Sequence, residues 1–167
     1  MTDWTKAVVA FPDPAEIADH AIAFARMMFA HTAFEREVGA LQDVITKQPG
    51  FGERRANQWG TRERPARMVG LIEAHRGKDF PHNDAIVKLL TDAIGPCEQR
   101  HFLAHGTWWA LNRRTAGMIV RGNARFAGPE TPPEQREFSV SDIQAVADKL
   151  ADIDAELYKL RRSIERA

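Results

Sequence analysis

From Pro14 to about Thr46 the chain contains no further proline and only one glycine, Gly39. Such a stretch has few places to turn. The simplest fold for it is one continuous helix, about 50 Å long at 1.5 Å per residue. A rod of that length sets the dimension of whatever packs on it. Asp13 suits the N-cap, Pro14 the first helical position, and Glu16 completes a pattern like a capping box. Gln48-Pro49-Gly50 marks the stop. Ile17, Ala21, Phe24, Met28, Val38, Leu41 and Ile45 fall near one face, which is expected to be buried.

A second long helix is expected at the end of the chain. Ser141-Asp142-Ile143-Gln144 has the form of a capping box. Ile143, Val146, Leu150, Ile153, Leu157, Leu160 and Ile164 then alternate in steps of three and four. That seam has two uses: it can face the core of a bundle, or it can mate with a second copy.

The middle of the chain is more broken. Phe51 to Gly60 reads as a loop, and a helix is expected from Pro65 to Gly77 with Met68, Val69 and Ile72 inward. Asn83 suits the cap of a third helix carrying Ile86, Leu89, Leu90 and Ala93. Gly95-Pro96 is expected to break or kink it, with a short helix from Cys97 to His105 stopped by Gly106. Trp108–Leu111 and Met118–Val120 flank Asn112–Gly117 in the manner of a β-hairpin. Ala127 to Glu137, with three prolines, reads as a surface loop. The expected fold is therefore mainly all-α. It is a bundle of four to five helices with a small β-hairpin before the C-terminal helix, forming one domain over residues 1–167.

Composition narrows the function classes. Formal net charge is zero, so no global field draws the chain to nucleic acid or an anionic membrane. Cys97 is the only cysteine, which excludes an internal disulfide and a zinc site built on several cysteines. It also fits a reducing, cytoplasmic setting. No signal peptide and no apolar run of membrane-spanning length is seen, so no membrane partner is expected.

The stretch richest in reactive side chains is Glu98-Gln99-Arg100-His101-Phe102-Leu103-Ala104-His105-Gly106. Histidine titrates near neutrality and serves as acid or base, and arginine clamps a phosphate through paired hydrogen bonds. Arginine–histidine spacing alone says little among seventeen arginines and six histidines. Arg26 with His31 and Arg76 with His82 show similar spacings. Arg26 is followed by the apolar Met27, and that pair reads as coincidence. Glu98-x-x-His101 matches half of a di-iron motif, but no second Glu-x-x-His exists. No metal or other cofactor is expected.

What singles out Arg100 to Gly106 is an arginine, a polar neighbour and an Ala-His-Gly helix ending four residues on. This resembles the motif of the HEPN superfamily. The position after the arginine is most often asparagine in simpler bacterial members and is His101 here. The resemblance implies metal-independent RNA cleavage at a homodimer interface, where two copies each bring one motif. His105 would be the general acid/base and Arg100 the phosphate clamp. Glu98 and His101 would assist, Glu98 orienting a histidine or pairing with Arg100. It further implies a toxin or defence role with an antitoxin-like partner. The alternative is a non-catalytic interaction or RNA-binding module in which Arg100 makes a salt bridge and His105 caps the helix end. Arg54, Arg55, Arg62, Arg64 and Arg67 form one basic cluster. Arg113, Arg114, Arg121 and Arg125, near Trp108 and Trp109, form another. Arginine beside aromatic rings suits RNA contact, and a solvated surface is the simpler use of the same residues.

Overall fold

In the computed structural model the proline-free stretch is one helix, α1, Pro14–Thr46. It is followed by α2, Arg64–Glu73, and α3, Asn83–His105. A three-stranded sheet comes next, β1 Thr107–Asn112, β2 Gly117–Arg121 and β3 Gln135–Phe138, and α4, Val140–Ile164, ends the order. The structure describes residues 14–47, 63–74, 81–112, 117–121 and 134–166, with the side chains of 14–16, 109–118 and 121 set aside. The Asp13 cap, the Gln48-Pro49-Gly50 stop and the loop from Phe51 to Gly60 lie outside the described residues. The fold is a mainly α-helical bundle with a small antiparallel sheet inserted before the last helix.

The largest interface joins α1 to α4. Ile143, Val146, Leu150, Ile153, Leu157 and Ile164 are all buried, and Leu160 is partly so. The seam of α4 is thus covered within one chain. Its partner on α1 is a matching series of Ala23, Met27, Phe34, Val38, Leu41 and Ile45, with His20 and His31 filling the same face. In the second half of α1 this is the expected face, with Val38, Leu41 and Ile45 buried, and in the first half it is turned from it. Ile17, Phe24 and Met28 lie on its flank, half-buried, and Ala21 is exposed. The shift follows from accepting two histidines into the buried stripe, which a purely apolar reading passes over.

Helix directions follow from the cross-links. His82 Nε2 lies 3.2 Å from Ser163 Oγ, and Lys149 reaches Asp92 at 4.0 Å, so α3 and α4 run antiparallel. Glu37 of α1 meets Arg161 near the end of α4. Phe24 lies edge-on to Trp108, just past the end of α3, with ring centroids 5.3 Å apart. Hence α1 runs parallel to α4 and antiparallel to α3.

Five local expectations are corrected. First, α3 continues through Gly95-Pro96. Gly95 has no Cβ to clash with the proline ring, which keeps the residue before proline helical. Ile86, Leu90 and Ala93 on one side and Cys97 and Leu103 on the other then tie both halves into the same core. Second, the cap of α4 is Ser139, whose hydroxyl accepts from the Asp142 N–H at 3.1 Å while Asp142 accepts from the Ser139 N–H at 2.7 Å. Third, Gln135–Phe138, expected in a loop, pairs antiparallel with β2. Only Phe138 of that strand is buried, so the segment carries almost no apolar signal. His82 takes the N-cap position of α3 in place of Asn83, with a left-handed φ of 68° and no capping bond from its side chain. The second helix ends at Glu73, earlier than Gly77.

Glu37 and Arg161 form a two-pronged pair across the α1–α4 interface, Nε to Oε1 at 2.5 Å and Nη2 to Oε2 at 3.2 Å. Both side chains are nearly covered, at 10% and 13% exposure. Removing one partner strands the other charge away from water. Arg161→Ala is expected to lower the unfolding free energy by about 2 kcal/mol in urea titration. The double change Glu37→Met with Arg161→Met is expected to recover most of it.

Candidate functional site

The last two turns of α3 carry Glu98, Arg100, His101 and His105, and the helix ends as the sequence implies, at His105. The Gly106 N–H closes the final turn on the Phe102 carbonyl at 2.8 Å. Gly106 itself is extended, with φ −76° and ψ 159°, and runs directly into β1. Its role is to leave the helix for the strand, with no need of a left-handed turn. Trp108 Nε1 donates to the Leu103 carbonyl at 2.7 Å, satisfying one of the acceptors that a helix end leaves open. Trp108 is thereby a structural residue that pins the end of α3 beside α1.

His105 is five positions after Arg100, which is about 140° around a helix. The two therefore leave α3 on different sides. His105 is exposed and His101 half-buried, one turn apart, with ring centroids at 4.5 Å. Glu98 is exposed one turn earlier. Phe102 shares this side of the helix, and the Arg136 guanidinium from β3 stacks on its ring at 4.7 Å. Arg136 is also held by Glu134 at 2.7 and 3.1 Å. Glu134 acts first and the Glu98 charge adds to it, holding the guanidinium above its ordinary pKa. The sheet thus delivers an arginine to the histidine side of α3. The sequence gives no signal for this, because β3 reads as loop.

Arg100 is half-buried, and its Nε is shut away from solvent with no hydrogen-bond partner among the described residues. Its charge is felt by His31 of α1, which is 1% exposed. Burial lowers the His31 pKa to about 4, with the Arg100 and Arg64 charges pushing the same way. The ring is therefore neutral at pH 7. Its Nδ1 lies 3.5 Å from Glu35 Oε2, a contact between a neutral imidazole and a carboxylate. Cys97, also buried here, has its thiol pushed up to about 12, by burial first and the Glu35 charge next, with Arg100 opposing. A thiol so raised is not a nucleophile at neutral pH. His31, set aside in the sequence as half of a coincidental Arg26 spacing, belongs to the surroundings of Arg100. The signal was its place in the stripe Met27, His31, Phe34.

The other expected residues separate. Arg113 and Arg114 lie outside the described residues. Arg121 ends β2, opposite Thr107 of β1 and Gln135 of β3. Among the described residues, no three His, Cys, Asp or Glu side chains are grouped to hold a metal ion. No helix among them is long and apolar enough to cross a membrane. No family model, curated protein or solved structure matches this chain.

His31 gives the fold a pH dependence whose sign is fixed. Its pKa is lower folded than in the unfolded chain, where it is near the ordinary imidazole value of 6.5. The unfolded state therefore binds more protons between those values, and stability falls as pH drops from 6.5 towards 4. The loss amounts to about 3 kcal/mol at the lower end. Urea titrations at pH 7 and near the lower limit are expected to show it, and His31→Gln is expected to flatten the dependence.

Proposed function

We propose that this chain is a HEPN-like endoribonuclease that needs no metal ion and acts as a homodimer. The observation carrying this reading is the adjacent His101–His105 pair at the open end of α3, with rings 4.5 Å apart. RNA supplies its own nucleophile. The 2′-oxygen attacks the neighbouring phosphorus and the bond to the 5′-oxygen breaks, leaving a 2′,3′-cyclic phosphate and a 5′-hydroxyl. One proton must leave the 2′-hydroxyl and one must reach the departing oxygen. Imidazole handles both at neutral pH. With one motif per chain, His105 of one copy takes the first proton and His105 of the other delivers the second. His101 orients its neighbour's ring, and Glu98 serves the same pair from one turn away.

The negative charge on the phosphate needs a cation. Arg100 fills this role in the motif, half-buried and close enough for its charge to act on His31. Arg136 stands on the histidine side and supplements it. Arg113, Arg114 and Arg121 extend the contact along the RNA. An antitoxin-like protein that covers the α3 end fits this reading.

The half-buried position of Arg100 favours a second reading, a non-catalytic interaction or RNA-binding module. There the arginine holds α3 against α1 and α2, and His105 caps the helix end.

Cleavage of a labelled, structured RNA in EDTA separates the two. The ribonuclease reading predicts cleavage by the parent and a loss of about a hundredfold or more in His105→Ala, with an unchanged circular dichroism spectrum. No cleavage by either protein across several RNAs, with a dimer confirmed, selects the second reading.

A further inference from the structure

The first half of α1 is apolar on two opposite faces. Opposite the buried stripe runs a second series, Ala18, Ile22, Ala25 and Phe29, again in steps of four and three. All four are exposed, Ile22 at 53% and Phe29 at 77%. Two apolar faces on one helix are normally both enclosed. Among the described residues, α3, α4 and the sheet end cover only one.

The geometry points to a second copy of this chain as the occupant, packed antiparallel through α1 of each. A two-fold axis passing between Ile22 and Ala25 sets Ile22 of one copy opposite Ala25 of the other. The same operation sets Phe29 opposite Ala18. Large residues then meet small ones at every level, and the two helices interlock closely. The flanking charges obey the same symmetry. Asp19 and Arg26, both exposed, lie seven residues apart on one edge of this face. Neither has an ion-pair partner among the described residues. In the antiparallel pair the same edge of each helix meets, and Asp19 of one copy stands two residues, about 3 Å along the helix, from the level of Arg26 of the other, within reach of the long arginine side chain, twice over. A face of unrelated use has no reason to be self-complementary in both shape and charge.

The surface also lies where a shared site requires it. The axis crosses α1 beside Phe24, which packs on Trp108 at the end of α3. The two copies of the His101–His105 pair would thus sit at the level of the axis. The surface is argued from α1 alone and adds to the ribonuclease reading the place where its two copies meet.

The test is sedimentation of the full chain without RNA. Asp19→Arg and Arg26→Asp singly place like charges opposite each other and are expected to weaken self-association about tenfold. The double variant restores the pairing with charges exchanged, and an equimolar mixture of the two single variants restores it between unlike chains. Both are expected to associate as tightly as the parent. Ile22→Asp with Phe29→Asp is expected to be monomeric with unchanged helix content. A parent that stays monomeric at high micromolar concentration overturns the proposal, as does a dimer indifferent to these changes. RNA cleavage is scored separately. A dimer disrupted as described but inert towards RNA supports the surface and removes the ribonuclease reading, and a monomer that cleaves RNA does the reverse.

Discussion

The interlocking of α1 and α4 along two stripes of three-and-four spacing sets the position of every other element. Met27, Phe34, Leu41 and Ile45 on one side and Ile143, Leu150 and Ile153 on the other are almost wholly withdrawn from water. Each contributes about 1.5–3 kcal/mol of burial. Because the two helices run parallel, the chain must cross back between them, and α3 is that return. Its C-terminal turns consequently emerge beside the start of α4, where the sheet makes the last reversal. The histidine pair is at the bundle's end because of this path.

The polar residues inside the frame explain why α3 has two chemically different sides. His31 occupies a core position of α1 as a neutral ring, beside Glu35 and within the field of Arg64 and Arg100. An apolar side chain there would pack more cheaply, since buried polar groups stabilise only when satisfied. Arg100 is drawn towards this cluster, while His105 turns outward with the half-buried His101 beside it. The proposed chemistry uses the outward pair for proton transfer and the inward arginine for charge. Arg136, stacked on Phe102, bridges the two demands from the sheet.

Much of the fold was legible in sequence because its signals are local. The extent of α1, the buried seam of α4, the end of α3 at Gly106 and the β1–β2 hairpin all follow from proline, glycine and alternation patterns. What failed depends on distant contacts. Pro96 stays inside a helix because the core grips both of its flanks. β3 exists because β2 offers it an edge, not because Gln135-Arg136-Glu137-Phe138 looks like a strand. For the site, Arg100, His101 and His105 were visible as a motif, whereas His31, Glu35 and Arg136 were not. Their relevance lies in which turn of α3 they face, and that is set by packing between segments more than thirty residues apart in the chain.

The central claim is that the histidines at the end of α3 drive attack by RNA's own 2′-hydroxyl. The chemical ends of the cleavage products test it most directly, by mass spectrometry of a short RNA digested with the purified chain in EDTA. The account predicts a 2′,3′-cyclic phosphate on one fragment and a 5′-hydroxyl on the other. Fragments carrying a 5′-phosphate and a free 3′-hydroxyl, or intact RNA throughout, would contradict it.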